Sequence, residues 1–290
     1  INVYKGGFHP SNGGKLSSVI EISQKEGSQN SHKGLISAGL TDISFLAEGP
    51  TPVKNSSYII SGRKTLTEAL LYFYTSCTEG NNSVFKYGFH DINAKFSWKP
   101  NSKNSLHLNI YQGDDYLSSK TKAIPLRIQD EMKALNIWGN FMSSLRWNSL
   151  VNSKLYFSGN ISFSTYRIKS GSQQQFLSND SLQFIKIEKR AEVKDLSVRM
   201  NWKYTPFSFW MIEFGNQHSF LFYNPSVIKN YQNSMLNKTS LMRPMEHAVF
   251  INSSLDFSTK CNAQLGLRYA FFMNEAFISA EPEPRLGLYY

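Results

Sequence analysis

Six histidines (His9, His32, His90, His107, His218 and His247) and the acidic pair Asp114-Asp115 are the residues best able to do chemistry. The histidines are scattered, and none shows a short ligand spacing such as HxxxH, so no metal centre is expected from them. Asp114-Asp115 has the chemistry to help a calcium ion in a loop, but a solvated loop turn accounts for the same pair. Cys77 and Cys261 lie far apart in sequence and have no metal spacing. They are too few for a disulfide framework and are read as incidental free thiols. No GxSxG elbow and no GxxxxGK[ST] loop occurs, so nothing points to an enzyme, a cofactor or a phosphate-binding loop.

The chain has 290 residues and a formal net charge of +10. That charge suits a partner bearing phosphate groups, either nucleic acid or lipopolysaccharide. Lys and Arg side chains scattered over solvent-facing or lumen-facing surfaces are the expected reading, because no basic block of five occurs. Nucleic acid is not expected, since the aromatic residues fall on apolar faces with Leu and Ile rather than among the lysines. Aromatic content is 14%, with 15 Tyr and 21 Phe. No apolar run is long enough for a membrane-spanning helix.

Period-two alternation places these residues on strands. From Leu155 to Phe163 every second residue except Gly159 is apolar, and Tyr156, Ser158, Asn160 and Ser162 fall between. The same pattern runs through Ile92–Trp98, Leu106–Ile110, Leu196–Trp202 and Gln264–Tyr269. Lys95, Asn109, Arg199, Asn201 and Arg268 occupy the polar faces. Strands with one apolar and one wet face, in this number, predict a transmembrane β-barrel with lipid outside and a polar lumen. Leu155, Phe157, Ile161 and Phe163 are accordingly expected to face lipid.

Strands are expected at 16–24, 33–40, 43–49, 55–64, 88–99, 104–112, 134–149, 153–168, 189–204, 206–219, 244–257, 262–274 and 284–290. The connections Pro100–Lys103, Val151-Asn152, Thr205-Pro206 and Ser258–Lys260 are short. Residues 65–87, 113–133, 169–188 and 220–243 are expected to be long loops. This short–long rhythm belongs to a barrel with tight turns on one side of the membrane and long loops on the other. Leu66–Tyr74 has helical spacing inside the first long loop, predicting a short amphipathic helix.

The opening Val3-Tyr4-Lys5-Gly6-Gly7-Phe8-His9-Pro10-Ser11-Asn12-Gly13-Gly14-Lys15-Leu16 and its continuation to Ile22 resemble the end of the plug domain of TonB-dependent outer-membrane receptors. Leu46–Pro50, Tyr58–Arg63, Asp91–Phe96 and Tyr111–Asp115 resemble successive barrel strands of that family. Trp138–Asn140, Leu145–Asn148 and Glu283–Leu286 continue the likeness. The resemblance implies residues 1–30 as a plug remnant and 31–290 as about the first twelve strands of a barrel that has about 22 in the family. It further implies a Gram-negative outer-membrane location and lipid as the surrounding partner. A TonB complex would act on a full plug, and a surface lipoprotein partner is open. The implied function is uptake of a bulky nutrient such as a glycan, peptide or metal chelate. A small stand-alone passive or structural barrel is the alternative, and a soluble β-sandwich the third.

No export signal precedes Ile1, so a mature chain or a fragment is expected, and a fragment would not transport alone. The glycines Gly6, Gly7, Gly13 and Gly14 are read as the plug turn, where positive φ and close approach are needed. The resemblance puts Lys15 in that turn and Glu48 at the end of the second barrel strand. The expectation is a plug–barrel ion pair between them, with Arg63 competing for Glu48.

Overall fold

A computed structural model describes residues 1–5, 9–14, 17–77, 83–122, 131–178, 181–230, 236–238 and 241–290. Among the described residues the chain is all-β apart from one helix. Two short strands, β1 (Asn2–Tyr4) and β2 (Val19–Glu21), pair antiparallel. Then come β3 (Lys33–Ala38), β4 (Asp42–Pro50), β5 (Ser56–Thr65), helix α1 (Thr67–Cys77), β6 (Ser83–Asn101) and β7 (Asn104–Lys122). They are followed by β8 (Glu131–Asn152), β9 (Leu155–Ser178), β10 (Ser181–Phe207) and β11 (Trp210–Asn230). The last are β12 (Leu236–Lys238), β13 (Met245–Ser258), β14 (Cys261–Asn274) and β15 (Phe277–Tyr289). From β3 to β15 each strand pairs antiparallel with its neighbour in the chain, except that β12 branches off β11. The result is a path of twelve strands, a partial antiparallel barrel wall. Its edges are β3 and β15, and no pairing joins them among the described residues.

Register rows show why the wall has two different faces. One row runs Ser57, Ser97, His107, Arg146, Asn160, Arg199 and Gln217 across seven strands. The adjacent row on the other face runs Phe96, Leu108, Leu145, Ile161 and Val198. Burial is inverted relative to a soluble domain. Among the described residues only Ile59, Ala248 and Phe250 are buried hydrophobics, against ten buried polar or charged residues. Ile161 is 53% exposed and Leu265 65%. A water-facing apolar surface this extensive needs a cover, and a bilayer supplies one. On β9 the outward apolar run spans Leu155–Phe163. That is about 30 Å of strand, or roughly 23 Å of height at a tilt of about 40°, close to the ~25 Å lipid-facing band of barrels. Near the short turns the outward aromatics form a ladder. Ring centroids lie 5.4 Å apart for Trp147–Phe157, 4.4 Å for Phe157–Trp202 and 6.4 Å for Trp202–Phe214. Rings at this level are what a membrane interface favours.

The short turns lie within a few residues of their expected places. The long loops do not. Residues 113–122 continue β7, 169–178 continue β9 and 181–188 begin β10 as ladder-paired strand. The stretches 113–122 and 169–178 are mostly polar and 181–188 is apolar on both faces (Leu182 and Phe184 on one, Ile185 and Ile187 on the other), so none carries a clean alternation, yet antiparallel neighbours already in register continue to pair. The helix occupies the first long connection as expected. The Thr65 hydroxyl accepts the Thr67 amide at 3.1 Å at its start. The strand expected at 16–24 shrinks to β2, and the one expected from 284 begins at Phe277.

Candidate functional site, a tail held across the polar face

Residues 9–14 and 17–32 cross the polar face of the wall. Near β6 and β7, Lys95 Nζ donates to the Gln24 carbonyl at 2.8 Å, and Lys99 Nζ lies 2.9 Å from Glu26 Oε2. His107 Nε2 is 3.9 Å from the other Glu26 oxygen. At the far end of the tail, His9 contacts the Glu213 carboxylate, which also accepts Lys203 Nζ at 2.5 Å. Arg285 donates to the His9 carbonyl at 2.7 Å and Arg268 to the Pro10 carbonyl at 3.2 Å. Lys95, Lys99, Lys203, Arg268 and Arg285 all stand on alternate positions of their strands, so the pleat aims them at the tail.

Backbone shape completes the seat. Gly14 has φ 67°, in the left-handed region that favours glycine. A Cβ on Gly266 would lie 2.4 Å from Pro10 Cγ, so the missing side chain makes the notch that receives Pro10. Two hollows adjoin the tail, of about 750 and 810 Å³, and share Asn12 as a lining residue. Arg146 lines the first and Arg199 the second.

The chemistry of this seat is reversible holding. Lys95, Arg268 and Arg285 grip carbonyl oxygens through charge-assisted bonds, which need no particular tail side chain, while Lys99, His107 and Glu213 meet the Glu26 and His9 side chains. The Lys99–Glu26 pair is half-exposed, 47% and 39%, and exposed pairs hold by only about 0–1 kcal/mol. Lys99 nevertheless keeps the Glu26 carboxyl below its ordinary range, chiefly through their hydrogen bond. No single contact locks the tail, and several together position it.

The residues singled out from sequence fall differently. Lys15, Gly6 and Gly7 lie outside the described residues. Gly13 packs against the Arg268 side chain. Glu48 faces the polar side, opposite Lys33 on β3 and Ile59 on β5. Arg63 is opposite Ser44, four residues along β4 from Glu48, and its partner is Asp91 at 2.6 Å. Four residues of strand are about 13 Å, which puts Glu48 out of Arg63's reach. Arg63 also stands 4.9 Å over the Phe89 ring. Asp114 and Asp115 sit within β7 rather than in a loop. Asp114 pairs with Arg167 at 2.7 Å, and Asp115 accepts from Tyr87 at 3.2 Å. Cys77 and Cys261 are free thiols. Among the described residues no group of three or more His, Cys, Asp or Glu could hold a metal. Register does bring two distant histidines together: His218 and His247 face each other on β11 and β13 with their Nδ1 atoms 2.7 Å apart.

No protein-family profile matches the chain, and no curated protein is significantly similar to it. Among solved structures it is similar to the unliganded ferric citrate transporter FecA, with 8% identity and a TM-score of 0.42. That match covers 84% of this chain and 44% of the other, so the chain spans less than half of that transporter's length. It is also similar to the translocator domain of the autotransporter NalP from Neisseria meningitidis, with 9% identity, a TM-score of 0.20 and coverage of 89% and 84%. A bacterial polysaccharide outer membrane secretin matches with 7% identity and a TM-score of 0.18, covering 85% and 88%. Likeness at this level identifies neither activity nor cargo.

Proposed function

We propose that this chain is part of an outer-membrane receptor that takes up a bulky nutrient, with the tail as the end of a movable plug. The supporting observation is the tail itself, strapped over a polar wall by carbonyl-directed cations and exposed ion pairs. A purely structural barrel has no need for a polar face shaped around a separate segment. A transporter needs a segment that is positioned at rest and released under force, and many weak contacts give that behaviour. In this reading the TonB complex supplies the force, loops and helix α1 meet the cargo, and the wet face passes it inward.

The test follows the tail rather than the cargo. Asn12→Cys is introduced in a Cys77→Ser/Cys261→Ser background, in the chain with its natural flanking sequence, in outer membranes of living cells. Labelling by a membrane-impermeant maleimide is compared in energised and protonophore-treated cells. Faster labelling in energised cells is expected. Equal labelling in both states would favour a passive barrel and overturn the reading.

A further inference from the structure

Register makes a pair from two histidines that are 29 residues apart in the chain, His218 on β11 and His247 on β13. Their row continues through Val198 on β10 and Phe271 on β14. Both imidazoles therefore stand on the outward apolar face, away from the tail. The ring centroids are 4.9 Å apart at 60°, and the two Nδ1 atoms are 2.7 Å apart. One proton accounts for that contact between neutral rings, carried on one Nδ1 and accepted by the other. The same separation is also a metal bite. Two bonds of about 2.0 Å at a right angle put their nitrogens about 2.8 Å apart, whereas tetrahedral bonds put them about 3.3 Å apart.

Further donors share this face. Met245 is one alternate position from His247, and register sets Met273 directly opposite Met245. Asn216 is one alternate position from His218, and its Oδ1 is buried with no hydrogen-bond partner. Among the described residues, the outward positions next to the pair on β10, β11, β13 and β14 carry no carboxylate. The pair also lies close to strand ends. β13 begins at Met245 and β14 ends at Asn274, so water reaches the pair from the end of that hairpin.

We propose that His218 and His247 chelate a copper ion, with the Met245 thioether as a weaker third ligand. The right-angled bite suits the tetragonal geometry of copper(II) or nickel(II) and not tetrahedral zinc. Copper(II) is the tightest binder of the three at a given nitrogen site. Thioethers select copper again, and the lack of a carboxylate removes the ligand that hard cations prefer. The ion takes the place of the shared proton, so the rings keep their positions and binding releases that proton. Water and the Asn216 oxygen are available for the remaining positions. Histidine spacing in the sequence gives no sign of this site, because each strand supplies one ligand. The inference rests on register and ring geometry, and not on movement of the tail or on the cargo.

The experiment uses the chain with its natural flanking sequence in neutral detergent, with Cys77→Ser/Cys261→Ser so that no thiol competes. Copper(II), nickel(II) and zinc(II) are each titrated against a chelator of known affinity, and electron paramagnetic resonance identifies the nitrogens on copper(II). One copper per chain with two imidazole nitrogens is expected, bound at least about tenfold more tightly than zinc. Losing a group that merely supports a metal ligand costs roughly 10–100-fold, so His218→Gln/His247→Gln should weaken copper by at least about a hundredfold. His32→Gln/His90→Gln should leave copper binding unchanged. Met245→Leu should weaken copper(I), titrated under ascorbate, by about tenfold and copper(II) by less. The nitrogen count on the unmutated histidines decides the matter even if the double variant fails to fold. Absence of imidazole nitrogens from the spectrum, full copper affinity in the folded double variant, or zinc bound as tightly as copper would overturn the proposal. Unchanged copper(I) affinity in Met245→Leu would overturn the part given to the thioether.

Discussion

On β9, Ile161 and Asn160 are neighbours in the chain and meet opposite surroundings. Ile161 stands among Leu145 and Val198 on the outward face and is 53% exposed. Asn160 stands between Arg146 and Arg199 on the face that carries the tail. A soluble sheet would bury the first and wet the second. Here the apolar side chain is the uncovered one, and buried groups such as Ser57, Ser97 and Arg268 are polar. The comparison teaches that the usual burial rule is reversed by the solvent on one side, not by unusual residues.

The largest effect should come from crossing that boundary. Ile161→Arg is expected to cost about 2–4 kcal/mol of folding into a bilayer, and Asn160→Arg much less, measured by denaturant titration in lipid vesicles. Similar costs on both faces would break the comparison. A smaller effect belongs to the tail's seat. Glu213→Gln removes the carboxylate shared by His9 and Lys203, and should weaken tail docking by roughly 1–3 kcal/mol. Gly266→Val should displace Pro10 as well. Amide exchange should rise at His9, Ser11 and Asn12 and stay slow in β9 and β10. Equal acceleration in the strands would mean the wall, not the tail, depends on these groups.

The smallest effect is a pH dependence at the other end of the tail. Glu26 has a lowered pKa in the folded chain, with its hydrogen bond to Lys99 as the largest cause. A depressed carboxylate stabilises the docked state above its unfolded pKa and loses that contribution as pH falls through the folded value. Tail exchange near residues 24–27 should therefore increase on acidification below the ordinary carboxylate range. Lys99→Met should flatten that response, and an unaltered acid response in this variant would assign it to another group.

The wall was legible in the sequence wherever a face was apolar. Leu155–Phe163 and Leu196–Trp202 alternate because one side meets lipid, and the tight turns between strands follow from where alternation stops. The strand extensions at 113–122, 169–178 and 181–188 were not legible as strand. In 113–122 and 169–178 Ser-, Gln- and Lys-rich text reads as loop, and in 181–188 Leu182, Phe184, Ile185 and Ile187 fall on both faces, so no period-two signal marks a strand. Side-chain partners required register. Asp91 faces Arg63 in the next strand, but the two strands are joined by the long connection that carries α1, so no tight turn fixes this register from the sequence. Glu48 lies on the strand adjacent to Arg63 but four residues along β4 from the Ser44 that Arg63 faces. The tail's path was illegible for another reason: half of the wall groups that hold it bind its carbonyl oxygens, and every residue has one.

The strand order has a consequence for assembly. Along the wall each strand pairs with its chain neighbour, so the sheet can grow hairpin by hairpin with short loop closures. The bonds from Arg268 to Pro10 and from Arg285 to His9 are different, spanning 258 and 276 residues. They cannot form until β14 and β15 exist. Closing so long a loop costs only slightly more than closing one half as long, by about 0.6 kcal/mol. The delay is therefore one of sequence, not of energy. Seating of His9 and Pro10 is a late event that registers completion of the last hairpin, and until then the tail stays free of the wall's far end.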